Sequence, residues 1–429
     1  MSDGIEQFIV NFSNETTDTS PIITMGGEDN NNNGINGSLN ENDNNDKAVL
    51  SAPAEWILIV IGIIVGFVII VFIIRKIIQG PSYWKNNRID DKVVIVTGCN
   101  TGIGKETVLE LAKRGAKIYM ACRDPIRCEA ARLEIIEKTK NEKIFNRTLD
   151  LSSLDSVRKF ADTFHKEENR LDILINNAGV MACPHMLTKD GFEMQIGTNH
   201  LAHFLLTNLL LDTIKASAPS RIVVVASGIY LWGRIKKDDL MSEKSYAKIE
   251  AYCQSKLANI LFSKHLASKL EGTGVTVNCC HPGVVKTELG RHLIKNKTKA
   301  FLNPIASYFL KSPRAGAQTQ LRLALDPSLE KTSGYFYLDC IRAPVLPKAK
   351  DKEMMEWLWN KSEELIESVQ KNNNKMNIEE VNNKKETTMT LETADEIKEI
   401  KENTEENENI EVDKNKNGDA IVIEVTNEK

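Results

Sequence analysis

The sequence predicts an α/β fold: a doubly wound parallel sheet of about seven strands, preceded by one transmembrane helix and flanked by disordered tails. Three observations carry this. Between Lys92 and about Leu338, short β-branched runs alternate with amphipathic stretches. One uncharged apolar run precedes that region, and acidic, Asn-rich segments bound the chain at either end.

The 429-residue chain is 41% hydrophobic and 27% charged, which excludes collagen, a wholly disordered chain and a polytopic transporter. Its net charge of −4 is unevenly spread. Residues 1–54 hold nine Asp/Glu against one Lys, and residues 371–429 hold sixteen acidic residues against nine Lys, so the body between them is basic by eleven charges. A basic body suits an anionic ligand or a membrane surface; the usual nucleic-acid motifs do not occur, and no nucleic-acid partner is expected.

Residues 1–54 are expected to form a disordered Asn-rich acidic tail, with acceptor-type triplets at Asn11, Asn14 and Asn36. Trp56–Ile74 is a run of nineteen uncharged residues, which at helical rise spans roughly 29 Å, close to the hydrocarbon thickness of a bilayer. A transmembrane helix is expected over 55–78, followed by a tether over 79–90 with Pro81 as its stop. Arg75, Lys76, Lys85 and Arg88 follow the run, whereas Glu55 and the acidic tail precede it. The charge rule then places the body in the cytosol and the N-tail in a lumen, the endoplasmic reticulum being the expected membrane. Gly62 and Gly66 form a GxxxG pair compatible with helix pairing, hence with a homodimer.

All eight cysteines lie in the body and no zinc-type CxxC pair occurs, so reduced thiols and no metal site are expected. Strand candidates are Val93–Val96, Lys117–Ala121, Ile144–Leu149, Leu171–Ile175, Arg221–Val225, Val275–Cys279 and Tyr335–Leu338. Helical segments between them include Lys105–Arg114, Ser153–His165, Phe192–Ile214 and Ala251–Leu270. One domain is expected over 91–345, a C-terminal helix over 346–370, and a disordered acidic tail over 371–429.

The first strand runs into Gly98, Asn100, Thr101, Gly102, Ile103 and Gly104, spaced GxxxGxG. A glycine-rich strand-to-helix turn lets backbone N–H groups approach a pyrophosphate. The second strand ends at Arg123, a fork for a ribose 2′-phosphate, which favours NADP(H). Pairing of Arg123 with Asp124 would leave NAD open. Tyr252 and Lys256 form the one YxxxK in the chain and lie one helical turn apart on a common face. A nearby ammonium favours the phenolate and lowers the pKa of a phenol. Ser227 ends a strand where its hydroxyl can meet a substrate oxygen.

At these residues the chain resembles the short-chain dehydrogenase/reductase family, a Rossmann-type fold, over about residues 88–345. The resemblance rests on the glycine turn, Asp150-Leu151, Asn176-Asn177-Ala178-Gly179, Asn199, Ser227, Tyr252, Lys256 and Pro282-Gly283. Within the family it is most similar to the membrane-anchored retinol dehydrogenases, through Thr97–Glu106, Met120–Asp124, Thr198–Leu206, Tyr252–Leu261, His281–Leu289 and Gly316–Thr319. The resemblance implies Tyr252 as proton donor or acceptor and Lys256 as its modulator and ribose ligand. It further implies Ser227 as the carbonyl-orienting hydroxyl and Asn199 as anchor of a water-mediated proton relay. Asp150 would contact the adenine, Asn177 the ribose side and Thr287 the nicotinamide carboxamide, with Leu151, Ala178, Gly179, Pro282 and Gly283 also expected in the cofactor site. The family often has Ser-Ser where this chain has Ala226-Ser227, and neither tail is typical of it.

The function so implied is NADP(H)-dependent interconversion of a lipophilic aldehyde or ketone and its alcohol, retinal and retinol foremost. Two other readings stay open: a broader lipid carbonyl or steroid oxidoreductase on the same machinery, and a non-catalytic scaffold. Substrate contacts are expected from 291–311, where Phe301, Leu302, Ile305, Tyr308, Phe309 and Leu310 are apolar; packing of that face on the sheet is the alternative.

Overall fold

β-branched residues in alternating register build the sheet, as the first strand shows. In β1 (Val93–Thr97), Val93 and Ile95 face one buried layer while Val94 and Val96 face the other. A strand buried on both faces belongs at the centre of a parallel sheet. A computed structural model describes residues 51–292, 308–372, 410–414 and 421–425. By internal contacts the chain divides into Met1–Val68 and Ile69–Lys429.

Helix α1 (Ser51–Gln79) contains the stretch Trp56–Gln79, whose most apolar eighteen residues have a mean hydropathy of 3.7, long and apolar enough to cross a membrane. The helix ends at Gly80, whose φ of +67° is a left-handed stop that glycine accepts at low cost.

The strands of the second unit continue with β2 (Lys117–Cys122), β3 (Ile144–Thr148), β4 (Ile173–Asn176), β5 (Ser220–Val225), β6 (Val275–His281), β7 (Phe336–Leu338) and β8 (Ile341–Ala343). They lie in the order β3-β2-β1-β4-β5-β6-β7-β8, parallel throughout except that β8 runs antiparallel to β7. The seven expected strands are all present; β8 is the addition, a three-residue edge strand too short to carry its own pattern.

Helices α2 (Gly102–Lys113), α3 (Pro125–Thr139) and α8 (Pro313–Leu325) bury Leu111, Ile135 and Leu321 with Val94 and Ile175 of the sheet. The opposite layer holds α4 (Leu154–Glu167), α5 (Ala202–Leu209), α6 (Leu211–Ala216), α7 (Lys248–Lys269) and α9 (352–372), with Phe164, Leu206, Ile260 and Trp359 in its core. Trp359 of α9 meets Phe204 at 4.7 Å between ring centroids and lies under Lys269, so the C-terminal helix is part of this layer.

Two expectations need correction. The single helix expected over 192–214 is four pieces: a turn at Met194–Ile196, a π-helical turn at Gly197–Leu201, and α5 and α6 broken at Leu210. The Glu193 carboxylate caps the first piece, accepting from the N–H groups of Gln195 and Ile196, both at 2.8 Å. The tail 371–429 was expected to lack structure, yet β9 (Ile410–Lys414) and β10 (Ile421–Val425) pair as an antiparallel hairpin. Ile410-Glu411-Val412-Asp413 alternates β-branched and charged residues, and Ile421–Val425 is β-branched at four of five positions, both patterns that favour strand. The N-tail through residue 50, with its Asn11, Asn14 and Asn36 triplets, lies outside the described residues, as do Phe301, Leu302 and Ile305.

All eight cysteines are buried, and no disulfide joins any of them.

Candidate active site

The strand order reverses between β1 and β4, and the crevice beyond their C-terminal ends is where open α/β sheets receive ligands. The sequence places its candidates at those ends: Gly98 after β1, Arg123 after β2, Asp150 after β3, Asn177 after β4, Ser227 after β5 and Pro282 after β6.

The glycine turn is built by steric necessity. Gly98 (φ +62°) would carry a Cβ only 2.7 Å from that of Ala178. Gly104 would place one 2.6 Å from both the Gly98 carbonyl oxygen and Asn177 Nδ2. Thr101 caps α2 without a side-chain hydrogen bond, and the first turn of α2 has no acidic residue. The N-terminal N–H groups and the positive end of the helix dipole thus meet no capping or acidic side chain of their own helix, the fit a dinucleotide pyrophosphate needs. Thr287 closes over this turn: its Cγ2 lies 3.1 Å from the point a Cβ on Gly102 would take.

Asn177 ties β4 to β1 through Nδ2, which donates to the carbonyls of Thr97 at 2.8 Å and Gly98 at 3.1 Å. Thr97 Oγ1 accepts from the N–H groups of Asn177 at 3.0 Å and Ala178 at 2.9 Å. Its own proton is therefore left for His203 Nε2, 2.9 Å away. His203 Nδ1 then carries the ring proton and donates to the Asn199 carbonyl at 3.1 Å. Burial pulls the imidazole down to about 4, the Asn199 bond opposing and the Lys256 charge adding, in keeping with a neutral ring. Thr97 and His203 were missed by sequence reasoning. Their one signal was position: Thr97 ends the strand before the glycine turn, and His203 follows Asn199 by one helical turn.

The π-helical turn carries Asn199 into the crevice. Its Oδ1 accepts from the Val180 N–H at 2.8 Å, and its Nδ2 donates to the Val180 carbonyl at 3.0 Å and to Ser255 Oγ at 2.9 Å. The amide is thus engaged with the chain itself. Gly179 lies against the pair of residues the resemblance couples: a Cβ there would stand 3.1 Å from Asn199 Oδ1 and 3.6 Å from Lys256 Nζ.

Helix α7 supplies Tyr252 and Lys256, both buried. Lys256 Nζ donates to the Val225 carbonyl at 3.0 Å and stands 5.7 Å from the Tyr252 ring centroid. Burial pulls this ammonium down to about 8. Burial also pushes the Tyr252 phenol above its ordinary value, with the facing Ser227 hydroxyl working the other way. Desolvation thus outweighs the Ser227 hydrogen bond at this phenol. Ser227 caps a short helical turn, accepting from the Ile229 N–H at 3.4 Å.

Other candidates sit less directly. Asp150 accepts from the N–H of Ser152 at 3.0 Å and its hydroxyl at 2.7 Å, with Lys189 3.1 Å away. Burial pushes its carboxyl up, but these three partners outweigh it and leave the group below the usual range. Leu151 is buried in the core, so only its backbone is available to a ligand. Arg123 is exposed and makes no ion pair or hydrogen bond among the described residues. Asp124 instead caps α3, accepting from the Arg127 N–H at 3.0 Å. Gly283 (φ +88°) passes so close to Lys311 that a Cβ would meet its Cδ at 2.6 Å.

A glycine-turned crevice beside a buried Tyr–Lys pair and a part-buried Ser227 is the arrangement of an oxidoreductase, and comparison with known proteins agrees. The family model for short chain dehydrogenase matches residues 92–298. The chain is 49% identical over 313 residues to retinol dehydrogenase 12 of Homo sapiens, covering 72% of this chain and 98% of that one. It is 49% identical over 298 residues to retinol dehydrogenase 13 of Homo sapiens, covering 68% and 90%. A crystal structure of an uncharacterised protein from Mycobacterium paratuberculosis matches at 36% identity and a TM-score of 0.53, covering 66% of this chain and 97% of that one. The chain belongs to the short-chain dehydrogenase family, as an oxidoreductase with close relatives among the retinol dehydrogenases.

Proposed function

We propose that the protein is a membrane-anchored, NADP(H)-dependent oxidoreductase that interconverts a lipophilic aldehyde or ketone and its alcohol, with retinal and retinol as the pair. The observation that carries the reading is the buried Tyr252–Lys256 pair on α7 beside Ser227, at the mouth of the glycine turn. The printed names of the relatives support the substrate class. Arg123 at the end of β2, exposed and without a partner among the described residues, supports a 2′-phosphate. The 24-residue stretch Trp56–Gln79 of α1 supports an anchor, and the basic cluster at and after its end supports a cytosolic body, with the endoplasmic reticulum as the proposed membrane.

The bound nicotinamide would supply or accept the hydride, and the chain's own residues do the rest. Gly98, Asn100, Thr101, Gly102, Ile103 and Gly104 would seat the pyrophosphate on the N-terminus of α2. Asp150 and Leu151 would border the adenine, Asn177, Ala178 and Gly179 the inner ribose, and Pro282, Gly283 and Thr287 the nicotinamide. Ser227 holds the substrate oxygen against the Tyr252 hydroxyl, which gives that oxygen a proton in reduction and takes it back in oxidation. Lys256, charged below about pH 8, stabilises the negative charge left on the phenol oxygen. Asn199 acts as a positioning residue, fixing Val180 and Ser255 around this group.

The test is NADPH oxidation with all-trans-retinal by the full chain in detergent or vesicles. Saturable turnover that disappears in Tyr252→Phe is the expected result. Turnover of other lipid carbonyls alone would replace the retinoid assignment, and no turnover with any carbonyl would overturn the enzymatic reading.

A further inference from the structure

The last turn of α1 does not simply stop at Gly80. Arg75 donates through Nη1 to the carbonyls of Tyr308 and, at 3.1 Å, of Leu310, while its guanidinium stacks on the Tyr308 ring 4.6 Å from the centroid. Gln79 clasps the same strand with both ends of its amide. Its Nε2 donates to the Leu310 carbonyl at 3.1 Å, and its Oε1 accepts from the Ser312 N–H at 2.9 Å.

That strand is in turn paired with the segment after Pro282. The Lys311 N–H donates to the Val284 carbonyl at 2.9 Å, and the Lys286 N–H donates to the Lys311 carbonyl at 3.0 Å. Val285, between them, presses on α8 and α2: a Cβ on Gly316 would lie 2.7 Å from its Cγ2 and 3.2 Å from Ile103 Cγ1. Thr287 continues onto Gly102. The Lys311 side chain lies across Gly283, pairs with Asp339, and reaches to 2.9 Å from where a Gly80 Cβ would be. Hydrogen bonds therefore run unbroken from the end of the apolar helix to the outer wall of the dinucleotide crevice.

We propose that Arg75 and Gln79 are positioning residues for substrate entry: they fix the Val284–Thr287 wall to the end of the anchor helix, so that the crevice opens where a carbonyl dissolved in the bilayer emerges. The inference rests on the membrane reading above. A substrate arriving through water needs no such alignment, so the two routes should respond differently when the clasp is cut.

The experiment uses the full chain in phosphatidylcholine vesicles, comparing wild type with Arg75→Ala, Gln79→Ala and the double variant. With all-trans-retinal, KM should rise about fivefold or more while kcat stays within about twofold. With a short water-soluble aldehyde, neither constant should change by more than about twofold. Arg75→Lys keeps the charge without the fork and should recover only part of the retinal KM. Exchange of the Lys286 and Lys311 amide hydrogens should quicken in the double variant. An unchanged KM for retinal, a parallel loss for both aldehydes, or unchanged exchange at both amides overturns the proposal. If wild type turns over neither aldehyde, the assigned activity fails instead, and the exchange measurement alone decides whether the clasp exists.

Discussion

Lys256 holds its ammonium 5.7 Å from the centre of the Tyr252 ring while donating to the Val225 carbonyl at 3.0 Å. The two side chains are one turn apart on α7, and the last residue of β5 fixes the direction of the cation. This arrangement sets the pH dependence expected of carbonyl reduction. Burial keeps the phenol protonated past its ordinary range, whereas the ammonium, pulled down to about 8, loses its charge first. The reduction rate should be level below about pH 8 and fall about tenfold per unit above it. Lys256→Arg stays charged throughout and should remove that inflection. A pH–rate profile with the same inflection in both proteins would refute the assignment.

The same shift has a stability counterpart. Between about 8 and the ordinary 10.5, the folded chain binds fewer protons at Lys256 than the unfolded one, so stability rises with pH across that window. Below about pH 8 both states are charged there and the cost of the buried cation is fully present. Subtracting the pH–stability curve of Lys256→Gln from that of wild type should isolate this slope. A flat difference across the window would show that the amine is not desolvated as described.

The link from Thr97 through His203 to Asn199 predicts a second, acid-side effect. The ring is held neutral, down at about 4 against an ordinary 6.5, so stability falls as pH drops through that interval, where the unfolded state takes up the proton first. His203→Ala leaves the Thr97 hydroxyl hydrogen and the Asn199 carbonyl without a partner, at a cost of about 1–3 kcal/mol. Urea unfolding at pH 7 should register this loss, together with weaker cofactor binding, because Thr97 also holds the backbone of Asn177 and Ala178. Unchanged stability at pH 7 would mean the link carries no load.

The centre of the sheet was legible in the sequence because β1, β4, β5 and β6 are mostly apolar and β-branched runs buried almost throughout. The glycine turn, Tyr252 and Lys256 were legible for a similar reason, as each depends on local spacing along a single element. Thr97 and His203 were not, since their meaning arises only when β1, β4 and α5 converge over 106 positions of chain. The clasp of Arg75 and Gln79 on Leu310 was hidden likewise: in sequence Arg75 reads only as the first charge after an apolar run. The π-helical turn at Asn199 lies within a stretch whose periodicity suits a plain helix, so pattern alone could not break it.

Gly104 offers a steric test that is independent of charge. A methyl group there would lie 2.6 Å from the Gly98 carbonyl and from Asn177 Nδ2, and 2.8 Å from Cys99 Cα. Two of those three neighbours are backbone, so the turn itself must move. Gly104→Ala should lose about 1–3 kcal/mol of stability through overpacking, and bind nicotinamide nucleotide far more weakly. Gly191→Ala is the contrast: its φ of +83° strains an alanine, but no heavy atom lies within 4 Å of the added methyl. It should cost stability through backbone strain and leave nucleotide binding intact. Equal nucleotide affinity in both variants would contradict the role of the turn.

Arg123 decides between the two nicotinamide nucleotides. Its obvious neighbour, Asp124, is engaged in capping α3, and Arg127 one turn on is held by Glu288 at 2.7 Å. The Arg123 guanidinium is exposed and has no partner among the described residues. A planar fork of this kind can grip a phosphate through two parallel N–H bonds, whereas the 2′-hydroxyl of NAD offers it little. Arg123→Ala should therefore raise KM for NADPH by about tenfold or more and leave NADH nearly unaffected. Arg123→Asp adds repulsion of the phosphate and an acceptor for the ribose hydroxyls, and should invert the preference. Because the contact is between exposed charges, the wild-type preference for NADPH should also shrink as salt is raised, while that of Arg123→Ala should not. Retention of the same NADPH-to-NADH ratio of kcat/KM in all three proteins would remove Arg123 from the cofactor site and return the choice of nucleotide to NAD.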